Sequence, residues 1–112
     1  MSDELYILWT NADLITSEKM VCMYGHNAIK NGWWGEVTII IWGAPAQLVA
    51  ENKDLQIQLQ EMLKDGVHIS ACKACTEQLG VTEMIKALGI EVKYWGQPLT
   101  EILKHNKKLL TV

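Results

Sequence analysis

The chain has 112 residues, of which 49% are apolar and 21% charged, and its net charge is −3. This length suits one domain with one hydrophobic core, and the composition excludes a disordered chain. All ten basic residues are lysines. Without arginine forks, and with a negative net charge, we expect no nucleic-acid partner.

No apolar run approaches the roughly 18 residues that a membrane-spanning helix needs, and the N-terminus lacks a signal-peptide pattern. We therefore expect a soluble protein with no membrane partner. The three cysteines, at positions 22, 72 and 75, are an odd number and do not suggest a disulfide framework. A reducing cytoplasm is the location that this cysteine usage favours.

Short apolar runs alternate with segments of helical periodicity along the whole chain. The first run, Leu5 to Thr10, is typical of a strand buried on both faces, and a helix capped by Thr16 or Ser17 follows it. The second run, Glu36 to Trp42, is rich in β-branched residues and is predicted to be the central strand. The remaining elements are a short helical turn at 47–50, a long helix at 52–65, a strand and helix within 67–80, a short helix at 81–89, a strand at 90–95, a helix at 98–106 and an edge strand at 108–112.

The resulting order, β-α-β-α-β-α-β-α-β, predicts an α/β fold: a single-domain, doubly wound, mainly parallel five-stranded sheet with helices on both faces. In such sheets ligands bind beyond the carboxyl ends of the strands, where we expect Asn11, Gly43, Cys72 and Gly96 to gather. The pattern Trp-Gly-x-Pro occurs at two predicted strand exits, beginning at Trp42 and at Trp95. Shared turn chemistry explains this repeat, although its location also suits a pocket.

Cys72 and Cys75 are the strongest chemical signal in the sequence. A Cys-x-x-Cys pair at a strand-to-helix turn is typical of redox or sulfur chemistry. The helix N-terminus and the charge of Lys73 both favour the thiolate form of Cys72. Alternatively, both cysteines are small buried hydrophobes, in which case they react slowly with alkylating reagents.

Two other assignments of the cysteines remain open at this stage. A zinc site would combine these two cysteines with Cys22 and His26, but the latter pair lies in the middle of a helix, so we expect no metal. Thioredoxin-like exchange fits the Cys-x-x-Cys spacing, but the pair follows the third predicted strand and not the first. Phosphate-loop and dinucleotide-binding motifs are absent from the sequence, so we expect no nucleotide, flavin or nicotinamide cofactor.

The order of elements, together with Ala71-Cys72-Lys73-Ala74-Cys75 and a helix that runs on to Gly80, resembles the DsrE-like sulfur-relay superfamily, which includes the DsrE/DsrF and TusD/TusC subunits. The resemblance covers nearly the whole chain, which implies a single DsrE-like domain over residues 1–112, and the second cysteine points to a Cys-x-x-Cys subgroup. It implies that Cys72 carries sulfane sulfur as a persulfide, in the manner of a sulfurtransferase, and that Cys75 assists it.

In this reading Lys73 stabilises the anionic sulfur, Asn11, Gly43 and Gly96 shape the pocket, and Trp42 and Trp95 wall it from water. The partners implied are sulfur donor and acceptor proteins or small sulfane-sulfur compounds. Relay subunits of this superfamily assemble, so we also expect a homo-oligomer, either a trimer or a hexamer. A thiol-disulfide redox protein using Cys72 and Cys75, or an oligomeric module with structural cysteines, is the alternative.

Overall fold

The computed structural model of the protein describes residues 3–112, and its five strands form one parallel sheet in the order β4-β3-β2-β1-β5. The strands are β1 (Glu4–Trp9), β2 (Glu36–Ile41), β3 (His68–Cys72), β4 (Glu91–Lys93) and β5 (Lys108–Thr111). The sequence-based fold class is confirmed. β2, the most β-branched run, is the central strand as predicted, and β5 is an edge strand.

Helices connect every pair of consecutive strands, as a parallel sheet requires. They are α1 (Leu14–Thr16), a π-helical segment (Ser17–Tyr24), α2 (Gly25–Lys30), α3 (Ala44–Glu51), α4 (Lys53–Lys64), α5 (Lys73–Leu79), α6 (Thr82–Ala87) and α7 (Gly96–Lys104). In the described part of the chain, none of these helices has the length and apolar character that crossing a bilayer demands.

The direction of the connections decides which sheet face each helix covers. The chain steps from β1 to β4 across one side of the sheet and then returns past β1 to add β5. Because such crossovers are right-handed, the return connection lies on the opposite face. α1 to α6 therefore cover one face and α7 covers the other.

The main core lies under α1 to α6 and the smaller one under α7. Ile7, Ile39 and Ile69, aligned on neighbouring strands, contribute to the main core. On the other face Ile40, Cys72, Trp95 and Ile102 form a small buried cluster, which we call the α7 cluster. The α7 cluster holds the first cysteine of the pair.

Two local expectations are corrected by the structure. β1 is buried on one face only, since Tyr6 and Leu8 point to the opposite, less covered face and are half-buried. The first helix begins at Leu14 and not after Thr16, because the Asp13 carboxylate accepts a hydrogen bond from the Thr16 N–H at 2.9 Å and so acts as the N-cap.

Candidate functional site

Cys72 lies where β3 ends and α5 begins. Its backbone is still extended, with φ −69° and ψ 117°, and it occupies the N-cap position of α5. Its side chain joins the α7 cluster and the residue is 3% exposed. The predicted strand-to-helix location is thus found, but the cysteine expected to be the nucleophile is shielded by its neighbours.

Cys75 lies in the first turn of α5 and is half-buried, so it is the more accessible cysteine of the pair. Burial raises the pKa of the Cys75 thiol above its ordinary value, and hydrogen bonding to the Cys72 thiol raises it further. A hydrogen bond from the Gly43 N–H acts in the opposite direction and lowers this pKa. The two thiols are therefore close enough to interact, and a backbone N–H from the neighbouring strand exit reaches one of them.

Gly43 can deliver this N–H because of its backbone conformation. It is the N-cap of α3, with φ 82° and ψ −132°, a region that residues with a Cβ rarely occupy. A Cβ built at Gly43 would meet no heavy atom within 4 Å. The requirement for glycine is consequently conformational and not a matter of space.

Of the two tryptophans predicted to shield the pocket from water, Trp95 is the more deeply buried. It is 5% exposed, and its indole N–H donates a hydrogen bond to the Ser70 hydroxyl at 2.8 Å. Trp42 is half-buried and packs against the α7 cluster, while its backbone N–H bonds to the Trp9 carbonyl. Both side chains thus belong to the apolar surroundings of Cys72.

The three other predicted pocket residues each have different surroundings. The Lys73 ammonium lies 5.3 Å from the ring centroid of Tyr94, so a cation–π contact holds it there. Asn11 follows β1, which is two strands from β3 and hence about 10 Å away, and its side chain accepts a hydrogen bond from Asp13. Gly96 is the exposed first residue of α7 with open space around it.

The sequence did not single out the polar residues that support Trp95. The Ser70 hydroxyl donates a hydrogen bond to a Glu91 carboxylate oxygen at 2.7 Å, and the Lys93 ammonium lies 4.5 Å from the Trp95 ring centroid. Ser70 is 21 residues from Glu91 and 25 from Trp95. The period-2 spacing from Ser70 to Cys72 was the one available hint that both side chains share a sheet face.

A cavity of about 450 Å³ opens beside this polar group on the α7 side of the sheet. Tyr6, Thr38 and His68, which face the same side, line it together with Ser70, Glu91, Lys93 and Trp95. Trp95 thus lines the cavity and also belongs to the cluster around Cys72.

Cys22 and His26 are separate from this site. Cys22 is buried in the main core, where burial raises the pKa of its thiol to about 12, with the charge of Glu18 as a smaller cause. His26 instead pairs with Asp65, with 2.6 Å between Nε2 and the carboxylate oxygen. Within residues 3–112, no group of three or more histidine, cysteine or acidic side chains is arranged to hold a metal ion.

Comparison with known proteins gives two structural relatives. No model of a known protein family matches the chain, and no curated protein matches it. BT1422 from Bacteroides thetaiotaomicron, a conserved protein of unknown function, is 44% identical over 98% of this chain and 95% of its own, with a TM-score of 0.96. The YchN protein from E. coli is 15% identical over the full length of both chains, with a TM-score of 0.68.

The two likenesses carry different conclusions. At 15% identity YchN shows the fold alone, which supports the DsrE-like fold and leaves the Cys-x-x-Cys subgroup a prediction. BT1422 is similar over nearly the whole length of both chains. The chain therefore belongs to the same family as the conserved protein of unknown function BT1422 from Bacteroides thetaiotaomicron.

Proposed function

We propose that the protein is a sulfur carrier, similar to the sulfurtransferases, that holds sulfane sulfur as a persulfide on Cys72. The observation that carries the proposal is the interaction of the Cys72 and Cys75 thiols at the carboxyl end of β3, next to the Gly43 N–H. Two neighbouring thiols can exchange a sulfur atom without a large movement of the backbone. The fold shared with YchN is consistent with this role.

The chemistry is a sequence of displacements at sulfur. The Cys72 thiolate attacks the outer sulfur of a donor, for example thiosulfate; a new S–S bond forms, the donor S–S bond breaks, and sulfite leaves with the electron pair. The Cys75 thiolate can then attack the outer sulfur and take it over, which regenerates the Cys72 thiolate. Attack on the inner sulfur instead gives a Cys72–Cys75 disulfide and releases hydrosulfide.

Shielding of Cys72 is useful for a carrier of sulfur. A persulfide is lost when another thiol attacks it, and the apolar side chains around Cys72 limit the approach of such a thiol. Cys75 is half-buried and lies at the more open side of the pair. We therefore propose that transfer to an acceptor proceeds past Cys75.

The second candidate function is dithiol-disulfide exchange, favoured by the same contact between two free cysteines. It differs from the carrier in that oxidation of the pair removes two hydrogen atoms and adds sulfur to neither cysteine, even when Cys75 is replaced by serine. An oligomeric module with purely structural cysteines, the third reading, gives neither product.

Intact mass separates the three readings. The reduced protein is incubated with thiosulfate or a small organic persulfide, freed of reagent and weighed without reductant. A gain of one sulfur in the wild type, in Cys22→Ala and in Cys75→Ser, with no gain in Cys72→Ser, supports the carrier. Absence of added sulfur from Cys75→Ser, in which no second thiol of the pair can remove it, or a gain that persists in Cys72→Ser, overturns it.

The assembly and location are proposed on separate grounds. Trp33 is 56% exposed, and Tyr6, Leu8 and Leu109 are half-buried on the sheet face that α7 only partly covers. Such apolar surface favours a homo-oligomer. Light scattering that gives a monomer mass at micromolar concentration would contradict this. A reducing cytoplasm is the proposed location, since persulfide formation on Cys72 requires a free thiol.

A further inference from the structure

Ser70 is buried in the sheet and uses its hydroxyl group in two hydrogen bonds. It accepts a bond from the Trp95 indole N–H at 2.8 Å and donates one to Glu91 Oε1 at 2.7 Å. The residue is only 4% exposed, so solvent has little access to replace either partner. The hydroxyl therefore connects a buried indole to a carboxylate at the edge of the sheet.

Lys93 holds the other side of the same indole. Its ammonium lies 4.5 Å from the Trp95 ring centroid and 3.9 Å from Glu91 Oε1. Charge attraction between Lys93 and Glu91 thus keeps the ammonium over the ring. The Trp95 side chain is fixed both at its N–H and at its face.

Strand register explains why these groups meet beside Cys72. Ser70 pairs with Glu91 and Cys72 pairs with Lys93 across the parallel β3 and β4 strands. Residues two apart on a strand point to the same face, so Ser70 and Cys72 both face α7. Trp95 follows β4, and its side chain turns back towards β3, where it bonds to Ser70 and joins the cluster that contains Cys72.

Trp95 is shared between the cavity and the cluster that contains Cys72. It lines the 450 Å³ cavity together with Ser70, Glu91 and Lys93, and it packs in the α7 cluster with Cys72. An indole that lost its hydrogen bond would leave a buried N–H unpaired, which is costly. Rotation into the cavity would give this N–H access to water and would uncover Cys72.

We infer that Ser70 is a positioning residue for sulfur exchange, because its hydroxyl holds Trp95 over Cys72 and so controls access to that thiol. The inference rests on the proposed function for the reaction it serves. The effect of the Ser70 hydroxyl on the accessibility of the Cys72 thiol can nevertheless be measured without any sulfur donor.

The test compares Ser70→Thr with Ser70→Val. These side chains have nearly the same shape, and only threonine keeps the hydroxyl, so packing effects cancel between the two variants. Each protein is treated with iodoacetamide, and the alkylation rates of Cys72 and Cys75 are obtained from peptide masses. Urea unfolding of each variant confirms that it is folded under the assay conditions.

We expect alkylation of Cys72 to be about tenfold faster in Ser70→Val than in Ser70→Thr, with the rate of Cys75 changed less than twofold. Trp95→Phe keeps an aromatic side chain, although a smaller one, and removes the N–H donor. In the Trp95→Phe background the Thr and Val variants should therefore react at equal rates. If Ser70→Val does not fold, Ser70→Ala compared with the wild type replaces it, because this substitution also removes the hydroxyl group.

Equal Cys72 rates in Ser70→Thr and Ser70→Val would overturn the inference, as would a difference that persists in the Trp95→Phe background. A parallel experiment loads the folded variants with sulfur and follows its loss to a small thiol. The persulfide should be lost about tenfold faster from Ser70→Val than from Ser70→Thr. Failure of Cys75→Ser, which keeps Cys72, to take up sulfur would refute the proposed function, whereas the alkylation comparison alone decides the role of Ser70.

Discussion

The Cys72 and Cys75 thiols interact with each other, yet Cys72 is 3% exposed and Cys75 is half-buried. The exposures differ because Cys72 is the last residue of β3 and its side chain packs under α7, whereas Cys75 lies on the first turn of α5. Adjacent thiols with unequal access can have separate tasks. One can store sulfur while the other exchanges it with the surroundings.

The pH dependence of Cys75 reactivity follows from its environment. Because burial and the neighbouring Cys72 thiol raise the pKa of Cys75, little thiolate is present at neutral pH. The alkylation rate of Cys75 should rise about tenfold per pH unit up to a midpoint above the free-cysteine value of about 8.5. Peptide-resolved alkylation rates between pH 6 and pH 10 measure this midpoint. A midpoint below that of free cysteine would contradict the structure.

Gly43→Ala tests the backbone hydrogen bond to the Cys75 sulfur. An alanine at φ 82° and ψ −132° should destabilise the fold by about 1–3 kcal/mol and displace the Gly43 N–H. Since that N–H lowers the pKa of Cys75, its displacement should move the alkylation midpoint to higher pH.

Gly80→Ala is the matched control for this prediction. Gly80 also has a positive φ, of 70°, and a Cβ there would likewise meet no atom within 4 Å, but it ends α5 away from the sulfur. This variant should lose stability and keep the Cys75 midpoint. Equal shifts of the midpoint in the two variants would show that the Gly43 hydrogen bond is not the cause.

Cys75→Ser should lengthen the life of a persulfide on Cys72. Without the second thiol, neither transfer of the outer sulfur within the pair nor closure of a Cys72–Cys75 disulfide can occur. We expect sulfur loss from the loaded variant to slow at least tenfold, with no release of sulfide before a thiol is added. Mass spectra taken over time give the rate. Sulfur loss as fast as in the wild type would mean that Cys75 takes no part.

Ionisation of the buried Cys22 thiol should lower the free energy of unfolding at alkaline pH. Burial raises its pKa to about 12 in the folded protein, whereas in the unfolded chain it is near 8.5. A raised folded-state pKa gives stability that is complete below about pH 8.5 and is lost as the pH rises towards 12. The free energy of unfolding should fall in this range by about 1.4 kcal/mol per pH unit on account of Cys22.

Urea unfolding of the wild type and of Cys22→Ala at several pH values checks this slope. The alanine variant should be less stable by about 1 kcal/mol near neutral pH because of the lost packing. Its stability should nevertheless depend less steeply on pH above 9. Parallel curves for the two proteins would exclude Cys22 as the titrating group.

Much of the fold could be predicted from the sequence because its strands are unambiguous. The run from Glu36 to Ile41 contains five β-branched residues and lies between Gly35 and Gly43, and it forms the central strand. Helix ends were less predictable, since Asp13, Thr16 and Ser17 are all suitable caps. The π-helical segment Ser17–Tyr24 has the same apolar spacing as an α-helix, so no pattern marked it.

The site was predictable only where it is local in sequence. The strand exits located Cys72 and Gly43 at one edge of the sheet, and the Cys-x-x-Cys spacing located Cys75 on the following turn. By contrast, the contact of Trp95 with Ser70 joins residues 25 apart and depends on the register of β3 and β4. Lys73 is next to Cys72 in sequence, but its long side chain reaches Tyr94 instead.

The most direct test of the account locates the sulfur on the chain. Reduced wild-type protein is loaded with a sulfane-sulfur donor, its persulfides are trapped with an alkylating reagent, and the peptides carrying Cys22, Cys72 and Cys75 are weighed. We expect the additional sulfur on the Cys72 peptide in the first product formed. In that first product, additional sulfur on the Cys75 or Cys22 peptide alone would contradict it, as would its absence from all three peptides without formation of a Cys72–Cys75 disulfide.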